Sequence, residues 1–168
     1  MSTVSDPTVR RLSAVWFADI VGYVALSSED EAEALEVVGI MQRLAREHIE
    51  ACGGELIKFV GDAVLAAFGS TSAALRSALE LRAAFAEATS QRGHELPLRI
   101  GLHVGDLSTS PDGDVYGDGV NLASRIQAAV EPGEVGVSGD VWRQLRSRRE
   151  FVFTELGDEK LRGVPGRV

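Results

Sequence analysis

ELIKFVGDAVLAAF, Glu55 to Phe68, consists of two apolar runs of six residues split by the pair Gly61-Asp62. Two strand-like runs joined at a glycine-aspartate step form the sequence pattern of an antiparallel hairpin. Within it Lys58 and Asp62 stand four residues apart, on either side of the turn. Burying either charge without a partner is costly. A plain surface hairpin would also explain this spacing, and it is the reading that any functional one has to beat.

Upstream of the hairpin, LSAVWFADI (Leu12 to Ile20) is apolar almost throughout and suits a central strand covered on both faces. Ser27, Ser28, Glu29 and Asp30 supply a cap and an acidic first turn for a helix. Its expected apolar stripe is Leu35, Val38, Met41, Ala45, Ile49 and Cys52, and Gly53-Gly54 ends it. Downstream, Thr71 opens a second helix, Ser72 to about Gln91, with Leu75, Ala78, Leu81, Phe85 and Ala88 on one face. Pro97 precedes the apolar strand LRIGLHVGDL, and SPDGD reads as a turn. A helix over Gly119 to Val130, the short strand EVGVS, a helix over Gly139 to Arg148, and a last strand pair FVFTEL and KLRGV complete the chain. The order strand, helix, strand, strand, helix, strand predicts an α+β, ferredoxin-like (βαββαβ) antiparallel sheet with helices on one face, plus C-terminal additions.

Length and composition bound what such a domain does. With 168 residues the chain forms one domain with a real core, taken as residues 11–168, behind a polar leader or linker remnant over 1–10. Its formal charge of −8 argues against nucleic acid as a partner, because no face collects enough Lys and Arg to neutralise a run of phosphates. Cys52 is the only cysteine, so no internal disulfide can form. The N-terminal stretch lacks an apolar signal core and no run approaches membrane-spanning length, so a cytoplasmic protein without a membrane segment is expected.

Two groups of residues suggest chemistry. Asp19 lies near the end of the first strand and Asp62 in the hairpin turn. In the expected sheet the first strand sits between its hairpin partners, so its end lies beside that turn. Two carboxylates meeting there repel unless a divalent cation sits between them, and magnesium favours one or two carboxylates completed by phosphate oxygens and water. Taken singly, Asp19 is a strand-end cap and Asp62 an ordinary turn aspartate; their pairing in this topology favours a metal. In GDVYGDGVNLASR, Asn121 and Arg125 stand one helical turn apart and project from one face. An amide beside a guanidinium suits the oxygens of a phosphate in a charged transition state, although a solvated helix face would also carry them. The glycines at 113, 117 and 119 favour the first reading, since they are expensive unless backbone approaches something closely.

WFADIVGY, GGELIKFVGDAVLAAF, LRIGLHVGDL, DVYGDGVNLASR and, more loosely, LGDEKLRGV together resemble the catalytic domain of the class III adenylyl and guanylyl cyclases, from about Arg10 to Val168. The resemblance implies a nucleotide cyclase fold and a homodimer with nucleotide sites at the subunit interface. It implies that Asp19 and Asp62, with the carbonyl of Ile20, hold two divalent cations (Mg2+ or Mn2+). It pairs Lys58 with Asp114 to read the purine, and Asn121 with Arg125 at the transition state. One protomer would give the aspartates to a site and its partner the other four, so Lys58 and Asp62 would serve different sites. Where the family usually carries a lysine for the terminal phosphates, this chain has Arg162, with Lys160 two residues earlier.

The implied reaction is attack of the ribose 3′-hydroxyl on the α-phosphorus of ATP with release of pyrophosphate. Adenine offers an acceptor at N1 and a donor at N6, which a lysine and an ionised aspartate complement; guanine would call for a carboxylate where Lys58 stands. His103, in a strand, reads as packed or turned to solvent rather than catalytic. The rival readings are a guanylate or mixed-specificity cyclase, a catalytically silent dimerising nucleotide sensor, and another two-metal nucleotidyl transferase. The last would need a basic template channel or a GGDEF-like turn, and neither is in the sequence. A regulatory domain in a longer parent protein completes the expectation.

Overall fold

In a computed structural model that describes residues 9–156, strand β1 (Val9–Ile20) is paired along both edges. On one side lies β3 (Ala63–Phe68), with Ala14 opposite Phe68 and Asp19 opposite Ala63. On the other lies β4 (Leu98–Thr109), from Val9 opposite Thr109 to Ile20 opposite Leu98. All three pairings so far, including β2 (Glu55–Val60) with β3, are antiparallel. With β5 (Val115–Tyr116) at the far edge, the order is β2-β3-β1-β4-β5, and β6 (Val135–Val137) adds a parallel pairing to β4. This is the expected ferredoxin-like arrangement, with one adjustment: β1 lies between β3 and β4, and only one strand of the hairpin is its neighbour.

The two faces of β1 serve two cores, as the alternation of side chains along a strand dictates. Ala14, Trp16, Ala18 and Ile20 enter the larger core with α2 (Glu31–Ala51) and α3 (Thr71–Gln91). Val15 enters a smaller one with Leu65, Ala67, Leu107, Val115 and Ala123 of α4 (Asp118–Ala129), and Phe17 packs against it. The helices of the βαββαβ core therefore share one face, and the added α4 covers the other. Helix α5 (Gly139–Leu145) joins the larger core through Val141 and Leu145. Helix α4 lies almost on the backbone of β4: a Cβ at Gly101 would stand 2.2 Å from the Ala123 carbonyl oxygen and 2.3 Å from the Gln127 nitrogen.

Several local expectations change. A separate short helix, α1 (Tyr23–Glu29), precedes α2, whose N-cap is Asp30, with its carboxylate accepting from the Glu33 amide at 3.0 Å. The buried stripe of α2 is Ala34, Val37, Met41, Leu44, Ala45 and Ile49, and Leu35 is 63% exposed. Small alanines let α2 approach the sheet, so the face is chosen by fit and not by the largest side chains. Strand β1 begins at Val9, where residues 9–12 pair with 106–109 past the end of β3. Helix α4 stops at Ala129 and α5 at Leu145. Phe151 to Leu156 forms no strand; Phe151 and Phe153 instead pack against the larger core. KLRGV lies outside the described residues.

The α4–β4 approach gives a direct test. Gly101→Ala puts a methyl group into rigid backbone, so it is expected to destabilise the domain by about 3 kcal/mol or more. Urea denaturation followed by circular dichroism measures this; a loss below roughly 1 kcal/mol would show that α4 can lift off the sheet.

Candidate active site

Strand register places the first pair of carboxylates. Asp19 is opposite Ala63, the residue after Asp62, so the hairpin turn lies alongside the end of β1. The Asp62 carboxyl is pushed above its ordinary range by burial, and the negative charge of Asp19 acts in the same direction. The amides of Asp62 itself and of Ile20 donate to it and oppose that shift. Asp19 is held from its other flank by Arg99 of β4, directly across the ladder. The guanidinium donates from Nη2 to Oδ2 at 3.2 Å and from Nε to Oδ1 at 3.4 Å. The sequence reading missed Arg99, although a lone arginine inside the apolar run LRIGLH was a usable signal. Among the described residues no cluster of three or more His, Cys, Asp or Glu could hold a metal. Two neighbouring carboxylates, one of them also held by Arg99, are a hard-oxygen donor set that fits Mg2+ or Mn2+ when other oxygens complete the shell.

A bulge places the second pair. The β2–β3 register runs Leu56 to Ala66, then Lys58 to Leu65, so Ile57 is an extra residue. Strict alternation from Leu56 would turn Lys58 toward α2 and α3; the bulge puts it opposite Leu65, on the α4 face. There its Nζ donates to Asp114 Oδ1 at 2.9 Å, and the same oxygen accepts from the Val115 amide at 3.0 Å. The hydrogen bond from Lys58 and then the Val115 amide lower the Asp114 pKa below its usual value. Lys58 and Asp114 come from elements at opposite edges of the strand order and meet because β5 folds over this face, with Val115 in the core of Leu65 and Ala67.

Asn121 and Arg125 occupy the exposed side of α4, opposite the buried Gly119, Ala123, Ile126 and Gln127. The structure corrects one reason given for them. Gly117, at φ 143°, would carry a Cβ 2.6 Å from the Asp106 carbonyl oxygen, so its close approach is to β4, whereas Gly113, at φ 85°, has open space about it and serves the turn. Asp19, Arg99, Lys58 and α4 thus share one face of the sheet, and no hydrogen bond or ion pair joins Asp19 or Asp62 to Lys58 or Asp114. His103 is buried, with Nδ1 2.8 Å from Ser138 Oγ; burial lowers its pKa against the pull of Asp140. Of the two placements expected for it, packed or turned to solvent, it takes the first. Arg162 and Lys160 lie outside the described residues. An open hollow of about 620 Å3 beside α5, lined by Trp142, Arg146 and Phe151 to Phe153 among others, involves none of the candidate residues.

Residues 10–168 match the family model described as the adenylate and guanylate cyclase catalytic domain. The chain belongs to that family. It is 34% identical over 173 residues to a putative adenylate cyclase 3 of Rhizobium meliloti, covering 92% of this chain and 27% of that protein. It is 30% identical over 165 residues to an adenylate cyclase of Mycobacterium tuberculosis, covering 90% of this chain and 37% of that protein. The cyclase domain therefore spans about a third of the length of these relatives. Among solved structures, an adenylate/guanylate cyclase/hydrolase from Silicibacter pomeroyi superposes with a TM-score of 0.83 at 35% identity, covering 96% of this chain and 95% of that one. The adenylyl cyclase CyaB from P. aeruginosa superposes with a TM-score of 0.79 at 25% identity, covering 96% and 93%. No helix among the described residues is long and apolar enough to cross a membrane.

The raised pKa of Asp62 has a sign that can be checked. Its ionised form is disfavoured in the folded cyclase domain, so the penalty is fully present above the folded pKa and lifts as pH falls through it. Asp62→Asn removes the penalty, and the group is only partly buried, so the effect is small. In chelator at neutral pH the variant is expected to melt roughly 1–2 °C higher than the parent, the gap closing on acidification through the raised pKa. A lower melting temperature at neutral pH would mean that the amide hydrogen bonds outweigh burial.

Proposed function

We propose that the domain is an adenylate cyclase that converts ATP to 3′,5′-cyclic AMP and pyrophosphate at sites shared between two copies of the chain. The observation that carries this reading is the ion pair of Lys58 with Asp114 at 2.9 Å on the α4 face. It presents a donor and an acceptor side by side, the complement of adenine N1 and N6. Relatives named adenylate cyclase support the same substrate.

Asp19 and Asp62, with the Ile20 carbonyl, would hold two divalent cations, Mg2+ or Mn2+. When bound, these supply the charge that activates the 3′-hydroxyl and holds the polyphosphate. Arg125 stabilises the negative charge that builds on the α-phosphoryl oxygens, Asn121 orients the ribose, and Arg162 holds the terminal phosphates. The new bond joins O3′ to the α-phosphorus, and the bond to the β-phosphate oxygen breaks. Asp19 and Asp62 act from one protomer; Lys58, Asp114, Asn121 and Arg125 act from its partner. Residues 11–168 form the catalytic unit, a cytoplasmic homodimer governed by a regulatory domain in a longer parent.

Purified protein with Mn2+ and either ATP or GTP tests the substrate: cyclic AMP is expected, and a clear preference for GTP would overturn the assignment. Asp62→Ala and Arg125→Ala are each expected to lose on the order of 100-fold or more in turnover. Mixed in equal amounts with subunit exchange, they are expected to recover about a quarter of parental activity, since half the dimers then carry one intact site of two. A mixture that exchanges subunits and stays inactive would count against shared sites.

A further inference from the structure

Arg99 has no part in the roles assigned above, and its position gives it one. Strand register sets it directly across from Asp19, and the neighbouring contact from the Val21 amide to the Pro97 carbonyl at 2.9 Å pins the ladder beyond it. Both nitrogens it commits to Asp19 lie within 3.4 Å of the two carboxylate oxygens. The side chains are 31% and 23% exposed, so the pair is sheltered from solvent more than a surface ion pair. Asp62 stands on the opposite flank of Asp19, next to Ala63. One carboxylate is therefore flanked by a permanent guanidinium on the β4 side and by a second carboxylate on the β3 side.

We propose that Arg99 is a built-in competitor for the divalent cation, a positioning residue that occupies both oxygens of Asp19 and has to share or surrender them when a cation bridges to Asp62. This rests on reading Asp19 and Asp62 as the metal carboxylates. An arginine cannot shed its charge near neutral pH, so it opposes the cation twice: it takes up one acceptor site on each oxygen of the ligand, and it repels the incoming charge. Cation affinity in the absence of nucleotide is thereby held low, and a polyanionic triphosphate, which offsets the surplus positive charge, restores it. The domain so avoids retaining a cation without substrate.

Mn2+ titration calorimetry without nucleotide tests this on the parent protein, Arg99→Gln and Asp19→Asn. Arg99→Gln is expected to bind Mn2+ on the order of tenfold more tightly, and Asp19→Asn to lose the site. Arg99→Gln is also expected to melt lower than the parent in chelator and to gain more in melting temperature from Mn2+, because Asp19 then has only the metal as counter-charge. If Asp19→Asn loses binding while Arg99→Gln binds no more tightly than the parent, the competitor role is wrong and the metal site stands. If Asp19→Asn binds like the parent, the metal reading fails and takes this one with it. Should Arg99→Gln not fold, the Arg99 Nε–H resonance of labelled parent protein decides: Mg2+ is expected to speed its exchange with solvent, and an unchanged resonance overturns the proposal.

Discussion

The pairing of β1 with β3 on one side and β4 on the other is the constraint from which the rest follows. Because Asp19 is opposite Ala63 and Arg99 at once, one register brings the Asp62 turn and the Arg99 guanidinium to the same carboxylate. A slip of one residue on either side would turn Asp19 toward the packed face under α2 and α3, where an unpaired charge is costly. That slip is opposed by the side chains of the same strand. Trp16 and Ile20 fill the larger core and Val15 the smaller, so a change of face would expose one set and bury the other. The apolar residues of β1 thus act at a distance on its one acidic residue.

Helix α4 depends on the same sheet in a different way. It can lie close to β4 only because Gly101 has no side chain, and that closeness orients its buried stripe inward and Asn121 and Arg125 outward. Sheet register places the carboxylates; backbone contact places the amide and the guanidinium. The two devices meet on one face.

The fold was legible in the sequence because its signals are local and strong. The hairpin at Gly61-Asp62, the stops at Gly53-Gly54 and Pro97, and the apolar run of β1 each depend on neighbours a few residues away. Asp19 and Asp62 could be placed together from topology alone, and the structure does place them so. Lys58 was less legible. Its orientation depends on the bulge at Ile57, which has no glycine or proline to announce it and is set by how Ile57 and Phe59 divide between the two cores. The face of α2 was judged in part: Met41, Ala45 and Ile49 are buried and Val38 and Cys52 pack at the core's edge, but Leu35 faces solvent while the small Ala34 turns inward, a choice that hydrophobicity does not reveal. Arg99 escaped notice because its meaning comes from a cross-strand neighbour 80 positions away.

The contact between Lys58 and Asp114 has a mechanical side. It joins the strand at one margin of the sheet to the turn that leads into the strand at the other, across the face that α4 also covers. The sheet is in effect belted, with this ion pair as the buckle. The side chains are 43% and 63% exposed, so the buckle is a light one, and a group that takes the place of either side chain at the other can open it at little cost.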